Sequence, residues 1–185
     1  MMKLDKIQPS QLFISSEKLS EVMKTFNAGN PAAIEPIPIK RLGNEIIFVD
    51  GHTRAFAAFL HSFSDVPVYW EHEELDWDAY EICVDWCKRE GIRTIADLKN
   101  RVVYQKDYEV LWYERCEKMQ QDLARRKRMR AKEEFKTTQE MFFLVYSSRP
   151  LAQSSFLSMS LTADLIAALL LGYMLARTSS SNPSK

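Results

Sequence analysis

The chain has 185 residues, of which 46% are apolar and 27% charged, a composition typical of a globular protein with one domain and an appendage. Its 25 basic and 25 acidic residues cancel, so bulk charge gives no argument for DNA or RNA, which would need a local basic patch. Three cysteines without a CxxC pair favour free thiols in an intracellular, cytoplasmic protein over a disulfide framework. The opening MMKLDKIQPSQLF lacks the apolar core of a secretory signal.

Three zones follow one another along the chain. Residues 1–120 alternate strand-like and helix-like patterns, residues 121–136 are strongly basic, and residues 137–185 are rich in leucine and serine. The first zone predicts an α/β (α+β) domain with a small mixed sheet of three or four strands, extended by helices on its C-terminal side.

The first predicted elements are a short helix and a hairpin. Ser15 or Ser16 caps the helix. The proline in Ile37–Ile39 cannot donate to a ladder, which predicts a strand that is bulged or at a sheet edge. Leu42–Glu45 predicts a hairpin turn into a buried strand over residues 46–49. The stripe predicted to be buried on the first helix is Leu19, Val22, Met23 and Phe26.

A second helix begins within FVDGHTRAFAAF, residues 48–59. Its spacing predicts one buried face. That face consists of Phe56, Phe59, Leu60 and Phe63. A strand at Asp65–Trp70 follows, then a helix capped by Asp76 that ends before Gly91.

The last elements of the first zone are helical. Thr94–Asp97 has the pattern of a capping box with aspartate in place of glutamate. A long helix begins near Lys106. Its predicted stripe is Tyr108, Leu111, Trp112, Cys116, Met119 and Leu123.

Five residues with functional side chains or special backbone freedom stand in a row from Asp50 to Arg54. A strand that enters a helix through a glycine leaves the first helical amides unpaired, and these amides with the helix dipole favour an anion. Gly51 lets the backbone approach a ligand, and Thr53 can cap the helix or bond an oxygen. Arg54 offers a planar fork that matches phosphate, and His52 can donate when phosphate raises its proton affinity. Asp50 can hold Mg²⁺ or orient a hydroxyl nucleophile.

The stretch therefore predicts a phosphate-binding site at Gly51, His52, Thr53 and Arg54, with Asp50 and His52 as the catalytic candidates. The alternative is structural. Asp-Gly is a common turn, threonine is a common cap, and Arg54 would then pair with a surface carboxylate.

PIPIKRLGNEIIFVDGHTRAFAAF resembles the core of the ParB/sulfiredoxin-like nucleotide-binding superfamily, in which a strand, a turn and a helix with G-x-x-R bind nucleotide phosphates. The similarity includes KIQPSQL and VPVYW and so covers roughly residues 4–72. By motif the nearest branch is the free-serine kinases, with a similar V-D-G-H-x-R. The resemblance implies a nucleotide (ATP, ADP or CTP) with Mg²⁺, bound at Gly51, His52 and Arg54, and an active-site acid at Asp50.

The chain departs from each branch of the superfamily. Sulfiredoxins place a cysteine before the histidine, where this chain has Gly51. Partition-type relatives carry a helix-turn-helix DNA-binding domain after the nucleotide domain, and no such pattern follows residue 72. Serine kinases have a catalytic glutamate after the first strand's proline, whereas Ser10 and Gln11 follow Pro9 here.

Two functions stay open on this basis. One is phosphoryl transfer from a nucleotide to a small hydroxyl substrate, with Glu17 or Glu35 as candidates to replace the missing base. The other is a non-catalytic module: a nucleotide sensor or partner-binding regulator of the DNA-partition type, or a scaffold that uses only its aromatic and basic helices.

Two further features have structural and functional interpretations. Cys83 and Cys87 have the i, i+4 spacing of metal ligands, but their apolar stripe favours core thiols. RRKRMRAKEEFK, from Arg125, offers a surface to nucleic acid, anionic lipid or an acidic partner, or is simply the exposed end of a long helix.

Residues 156–177, FLSMSLTADLIAALLLGYMLAR, have the length of a membrane-spanning helix. Asp164 within them costs about 2.5–3.5 kcal/mol, against about 0.3–0.6 kcal/mol gained by each leucine or isoleucine, so insertion is marginal. The segment is interpreted as a membrane tether, as a helix that docks on the domain or on a second copy in a homo-oligomer, or as a tail without function.

Overall fold

The computed structural model describes residues 1–26, 29–30 and 33–147, with side chains as far as Leu144. The chain forms two compact units, Met1–Glu133 and Glu134–Lys185. The predicted α/β (α+β) class is confirmed by the mixture of helices and short strands.

Seven short strands lie within the described residues. They are β1 (Met2–Lys3), β2 (Ile14–Ser15), β3 (Ile37–Leu42), β4 (Glu45–Phe48), β5 (Asp65–Val66), β6 (Val68–Trp70) and β7 (Val102–Val103). The α-helices are α1 (Ser16–Thr25), α2 (His52–Leu60), α3 (Trp77–Arg89), α4 (Gln105–Tyr108) and α5 (Arg115–Ser147). Glu109–Glu114 forms a π-helical turn, and Leu4–Lys6 and Ile95–Asn100 are 3₁₀ turns.

The strands pair into three small sheets. The largest has the order β4-β3-β6, with β3 antiparallel to β4 and parallel to β6. In addition, β1 pairs antiparallel with β5, and β2 pairs parallel with β7. The sequence predicted only three or four strands because two-residue strands are too short to leave an alternating pattern.

Pro38 lies in the central strand, so the predicted edge position is wrong. With Ile39 opposite Phe48, Pro38 stands opposite Val49, just where β4 has ended. Val49 N–H donates to the Pro38 carbonyl at 3.0 Å. Proline has no N–H with which to donate the second hydrogen bond of this pair to the Val49 carbonyl. The Tyr80 hydroxyl donates to the Val49 carbonyl instead, at 3.2 Å. A side chain from α3 thus replaces the missing ladder donor.

The predicted stripes of α1 and α2 are only partly confirmed. Phe56 is buried, and the partly buried members that pack against the core are Leu19, Phe26, Phe59 and Phe63. In α2 the buried residues are His52, Ala55, Phe56, Ala57 and Ala58. Leu60 is 45% exposed. The small alanines let α2 approach the core on the side where they lie, and this leaves Leu60 toward solvent. No residue of α1 is fully buried, and its Met23 is exposed. Helix α1 therefore covers the core with half-buried side chains only.

Local signals at turns and helix starts agree with the structure. The Ser15 side chain caps α1 by accepting from Lys18 N–H at 3.3 Å. Leu42 and Glu45 close the hairpin, with Gly43 at φ +58°. Thr94–Asp97 forms the capping box. Asp76 occupies the N-cap of α3, but its carboxylate binds Lys127 Nζ at 3.3 Å and caps nothing.

The long C-terminal helix is interrupted by the π turn, which the sequence did not reveal. Tyr108, Trp112, Met119 and Leu123 are buried as predicted. Leu111 is 42% exposed, because the wider turn rotates it out of the stripe.

The basic run beginning at Arg125 lies within α5. The segment 156–177 falls outside the described residues. Among the residues that the structure does describe, no helix combines the length and the apolar character that crossing a membrane requires.

Candidate functional site

The DGHTR stretch forms the strand-turn-helix that the sequence predicted. Strand β4 ends at Phe48, Gly51 adopts the left-handed conformation with φ +75°, and α2 begins at His52. A Cβ at position 51 would lie 3.0 Å from Ile37 Cγ2 and 3.1 Å from Arg54 Nη2. Glycine is therefore required both by the backbone conformation and by the close approach of two side chains.

The first amides of α2 have no partner among the described residues. No side chain caps the helix, and its first backbone bond runs from Ala55 N–H to the Gly51 carbonyl at 2.9 Å. The N–H groups of His52, Thr53 and Arg54 precede that bond. They are available to an oxyanion, and the positive end of the helix dipole lies at the same place.

Arg54 lies beside this helix start with its side chain 20% exposed. Its guanidinium forms an ion pair with the Glu35 carboxylate, and Nη2 lies 4.0 Å from Asp50 Oδ2. The structure thus realises the surface pairing that the sequence offered as an alternative, while keeping the guanidinium next to the free amides. A guanidinium has five N–H donors, so Glu35 leaves donors for a second acceptor.

His52 is buried and holds the N-terminal segment against α2. Gln8 bridges β4, and two residues later Ser10 N–H donates to His52 Nε2 at 3.0 Å. Because Nε2 accepts, the ring proton lies on Nδ1. In the described part of the chain, every fully buried polar side-chain atom has a hydrogen-bond partner. Nδ1 has no protein partner there, so it reaches solvent.

The charge state of His52 is set by its burial. Burial lowers the pKa of the imidazole to about 4, and the nearby Asp50 carboxylate opposes this only in part. The ring is therefore neutral near pH 7. His52 can offer a neutral Nδ1–H donor to a ligand, and the charge-assisted donor that a bound phosphate would create stays a prediction.

A cleft of about 810 Å³ opens over the start of α2. Gly51, His52, Thr53 and Arg54 all line it, as does Asp50, so the structure brings the whole predicted set together. Its size is within the roughly 300–1,000 Å³ of small-molecule sites.

Helix α1 and the region of α4 also line the cleft. Glu17 and Glu35, which the sequence could not place, both line the cleft. Sequence reasoning missed the remaining polar lining: Gln11, Lys18, Glu21, Gln105, Tyr108 and Glu109. The one available signal was the polar start of α1 directly after the Ser15 cap. Nothing in the sequence indicates that α4 packs near it.

The cleft carries an excess of negative charge. Its carboxylates are Glu17, Glu21, Glu35, Asp50 and Glu109, and its cations are Lys18 and Arg54. Lys18 is engaged with aromatic residues, since Nζ donates to the Tyr113 hydroxyl at 2.5 Å and lies 5.5 Å from the Tyr108 ring centroid. Arg54 is thus the principal cation at the free amides.

A smaller cavity of about 240 Å³ adjoins the cleft, and Asp50 and His52 line both spaces. Tyr80, Trp112 and Cys116 form part of its wall.

No group of three or more metal-ligating side chains exists within the described ranges. Asp50 would therefore bind Mg²⁺ only together with oxygens of a ligand.

Comparison of the chain with models of protein families, with curated proteins and with solved structures found no match. The likeness to the ParB/sulfiredoxin-like superfamily accordingly rests on the motif and its neighbouring strands.

Proposed function

We propose that the chain binds the phosphates of a nucleotide, or of another phosphorylated small molecule, in the cleft at the start of α2. The observation that carries the proposal is that three unpaired helix amides and the Arg54 guanidinium line the same open cleft. Phosphate is the anion whose geometry uses both a set of amides and a planar fork.

The charge of the cleft makes a divalent cation part of this proposal. Two like charges at 4 Å repel by about 4 kcal/mol at the effective dielectric of a protein surface. Asp50 and Glu35 both lie beside Arg54, so a free polyphosphate meets carboxylates wherever it meets the guanidinium. A Mg²⁺ ion bound to the phosphates and to Asp50 removes that repulsion. ATP, ADP and CTP are therefore expected to bind as Mg²⁺ complexes.

Phosphoryl transfer to a small hydroxyl compound is the catalytic form of the proposal. The arrangement that supports it is a pair of carboxylates beside Arg54, Asp50 at the turn and Glu35 in its ion pair. One carboxylate can orient the hydroxyl while the guanidinium and the amides stabilise the charge on the moving phosphoryl group.

A nucleotide-sensing module without turnover is the second candidate. One observation favours it: Ser10, at the position after Pro9 where the kinase branch has its glutamate, is buried and already bonded. Its hydroxyl donates to the Phe48 carbonyl at 2.8 Å, and its N–H donates to His52. Ser10 therefore cannot act as a general base.

A thermal-shift screen with ATP, ADP and CTP, each with and without Mg²⁺, tests binding. A ligand at a hundred times its Kd stabilises the native state by about 2.7 kcal/mol, which raises the melting temperature by several degrees. The shift should require Mg²⁺ and disappear in Arg54→Ala. Arg89→Ala is the matched control, because Arg89 is exposed on α3 and pairs with Asp85 away from the cleft.

The absence of any shift with all three nucleotides and Mg²⁺ would overturn nucleotide binding, and stronger binding without Mg²⁺ would overturn the electrostatic part of the proposal. Incubation with Mg²⁺, nucleotide and free serine then separates the two candidates. Phosphoserine that is lost in Asp50→Ala supports the kinase, whereas binding without turnover supports the module.

A further inference from the structure

Two of the three cysteines meet at the small cavity next to the candidate site. Cys83 comes from the middle of α3 and Cys116 from the first turn of α5, and both line the cavity of about 240 Å³. Cys83 is buried and Cys116 half-buried. Both residues border this one cavity, although they are 33 positions apart in sequence.

The surroundings distinguish the two sulfur atoms. The hydrogen bond from the Cys83 thiol and the nearby Arg115 guanidinium lower the pKa of Cys116 despite its partial burial. Hydrogen bonding with Cys116, together with burial, raises the pKa of Cys83, and Arg115 opposes this only in part. Cys116 is thus the more exposed and the more readily ionised of the two sulfur atoms.

Arg115 is held in place next to Cys116. Its guanidinium lies 4.2 Å from the centre of the Trp86 ring, and Nη1 lies 3.4 Å from the Glu90 carboxylate. A fixed cation beside a partly exposed sulfur is the environment in which cysteines react with oxidants.

Cys87 provides an internal comparison on the same helix. It lies one turn after Cys83, is fully buried and does not line the cavity. Burial raises its pKa to about 12. The three cysteines therefore differ in exposure and in partner, and only two of them share a cavity.

We propose that Cys116 and Cys83 form a reversible disulfide when the protein meets hydrogen peroxide. The Cys116 thiolate attacks one peroxide oxygen, forming an S–O bond, breaking the O–O bond and releasing hydroxide, so that sulfur is oxidised to sulfenic acid and peroxide is reduced. The Cys83 sulfur then attacks the Cys116 sulfur, forming the S–S bond and breaking the S–O bond. The leaving hydroxide takes the Cys83 proton and departs as water.

The bond would join α3 to α5 across a cavity that Asp50 and His52 also line. This site does not depend on whether the neighbouring cleft binds a nucleotide, because the chemistry needs only the two thiols and the oxidant.

The test uses the full chain, first reduced and then treated with hydrogen peroxide. The oxidised chain is digested without reductant and cleaved at Asp85, which separates Cys83 from Cys87. The digest should contain peptides linked through Cys83 and Cys116, and dithiothreitol should release them. Before oxidation, iodoacetamide should alkylate Cys116 at least about tenfold faster than Cys87.

Substitutions assign the order of the two steps. Cys87→Ser should form the cross-link as the wild type does. Cys83→Ser should stop at a Cys116 sulfenic acid that dimedone traps, and Cys116→Ser should leave Cys83 as a thiol. The proposal is overturned if peroxide leaves all three thiols free, if Cys87 cross-links in equal yield, or if Cys116 passes to sulfinic acid without a disulfide. The mapping in the wild-type chain decides the matter even where a variant does not fold.

Discussion

Replacing Gly51 by alanine tests the turn on which the candidate site depends. The left-handed backbone, with φ +75°, costs an alanine about 1–2 kcal/mol. Its Cβ would also lie 3.0 Å from Cγ2 of Ile37, a fully buried residue of the central strand. Crowding in a packed core costs about 1–3 kcal/mol. We therefore expect the free energy of unfolding to fall by about 2–5 kcal/mol.

Gly91→Ala is the matched control for this substitution. Gly91 has φ +76°, and nothing lies within 4 Å of a Cβ added to it. Both variants share the backbone strain and the change in unfolded-chain entropy, so the difference between them isolates the contact with Ile37 and Arg54. Urea unfolding followed by tryptophan fluorescence measures both. If Gly51→Ala loses no more stability than Gly91→Ala, the close approach at Gly51 does not constrain the turn.

Three other predictions concern pH and single hydrogen bonds. The pKa of His52 is about 4 in the folded protein and 6.5 for an unperturbed imidazole, so the unfolded chain binds more protons between these two pH values. The free energy of unfolding should therefore fall by up to about 3 kcal/mol as pH drops from 6.5 to 4. Urea unfolding from pH 7.5 to 4 measures this loss, and a slope that survives in His52→Gln would assign it to another group. Tyr80→Phe removes the donor to the Val49 carbonyl and should cost about 1 kcal/mol in the same assay, whereas an unchanged midpoint would mean that the carbonyl finds another donor. Thr94→Ala should cost about 1 kcal/mol through loss of the capping box, and no loss would show that Asp97 alone satisfies the turn.

Features set by a few neighbouring residues were predictable from the sequence. The Ser15 cap, the Leu42–Glu45 hairpin and the Thr94–Asp97 box each depend on side chains within four positions of one another. The same holds for the turn at Gly51, where a strand, a glycine and a helix follow directly in the chain. These elements required no knowledge of what packs against them.

Features set by distant contacts were not predictable. Pro38 in the central strand leaves the Val49 carbonyl without a ladder donor, and the hydroxyl of Tyr80, 31 residues from Val49, takes that place. Leu60 faces solvent because alanines elsewhere on α2 form the closer contact with the core. The pairing of Glu35 with Arg54 likewise depends on the path of the chain between two elements, which residue chemistry does not define.

The π turn marks the place where the chain can change its length. It holds one residue more than an α-helical path would, so deletion of exposed Val110 would let the segment close as an ordinary helix while Met119 kept its orientation toward the core. A deletion just after Cys116 would instead rotate the following residues by about 100° and carry Met119 into solvent. Since Tyr108 borders the large cleft and Trp112 the small cavity, a deletion at this turn reshapes both spaces and leaves the rest of the core in register.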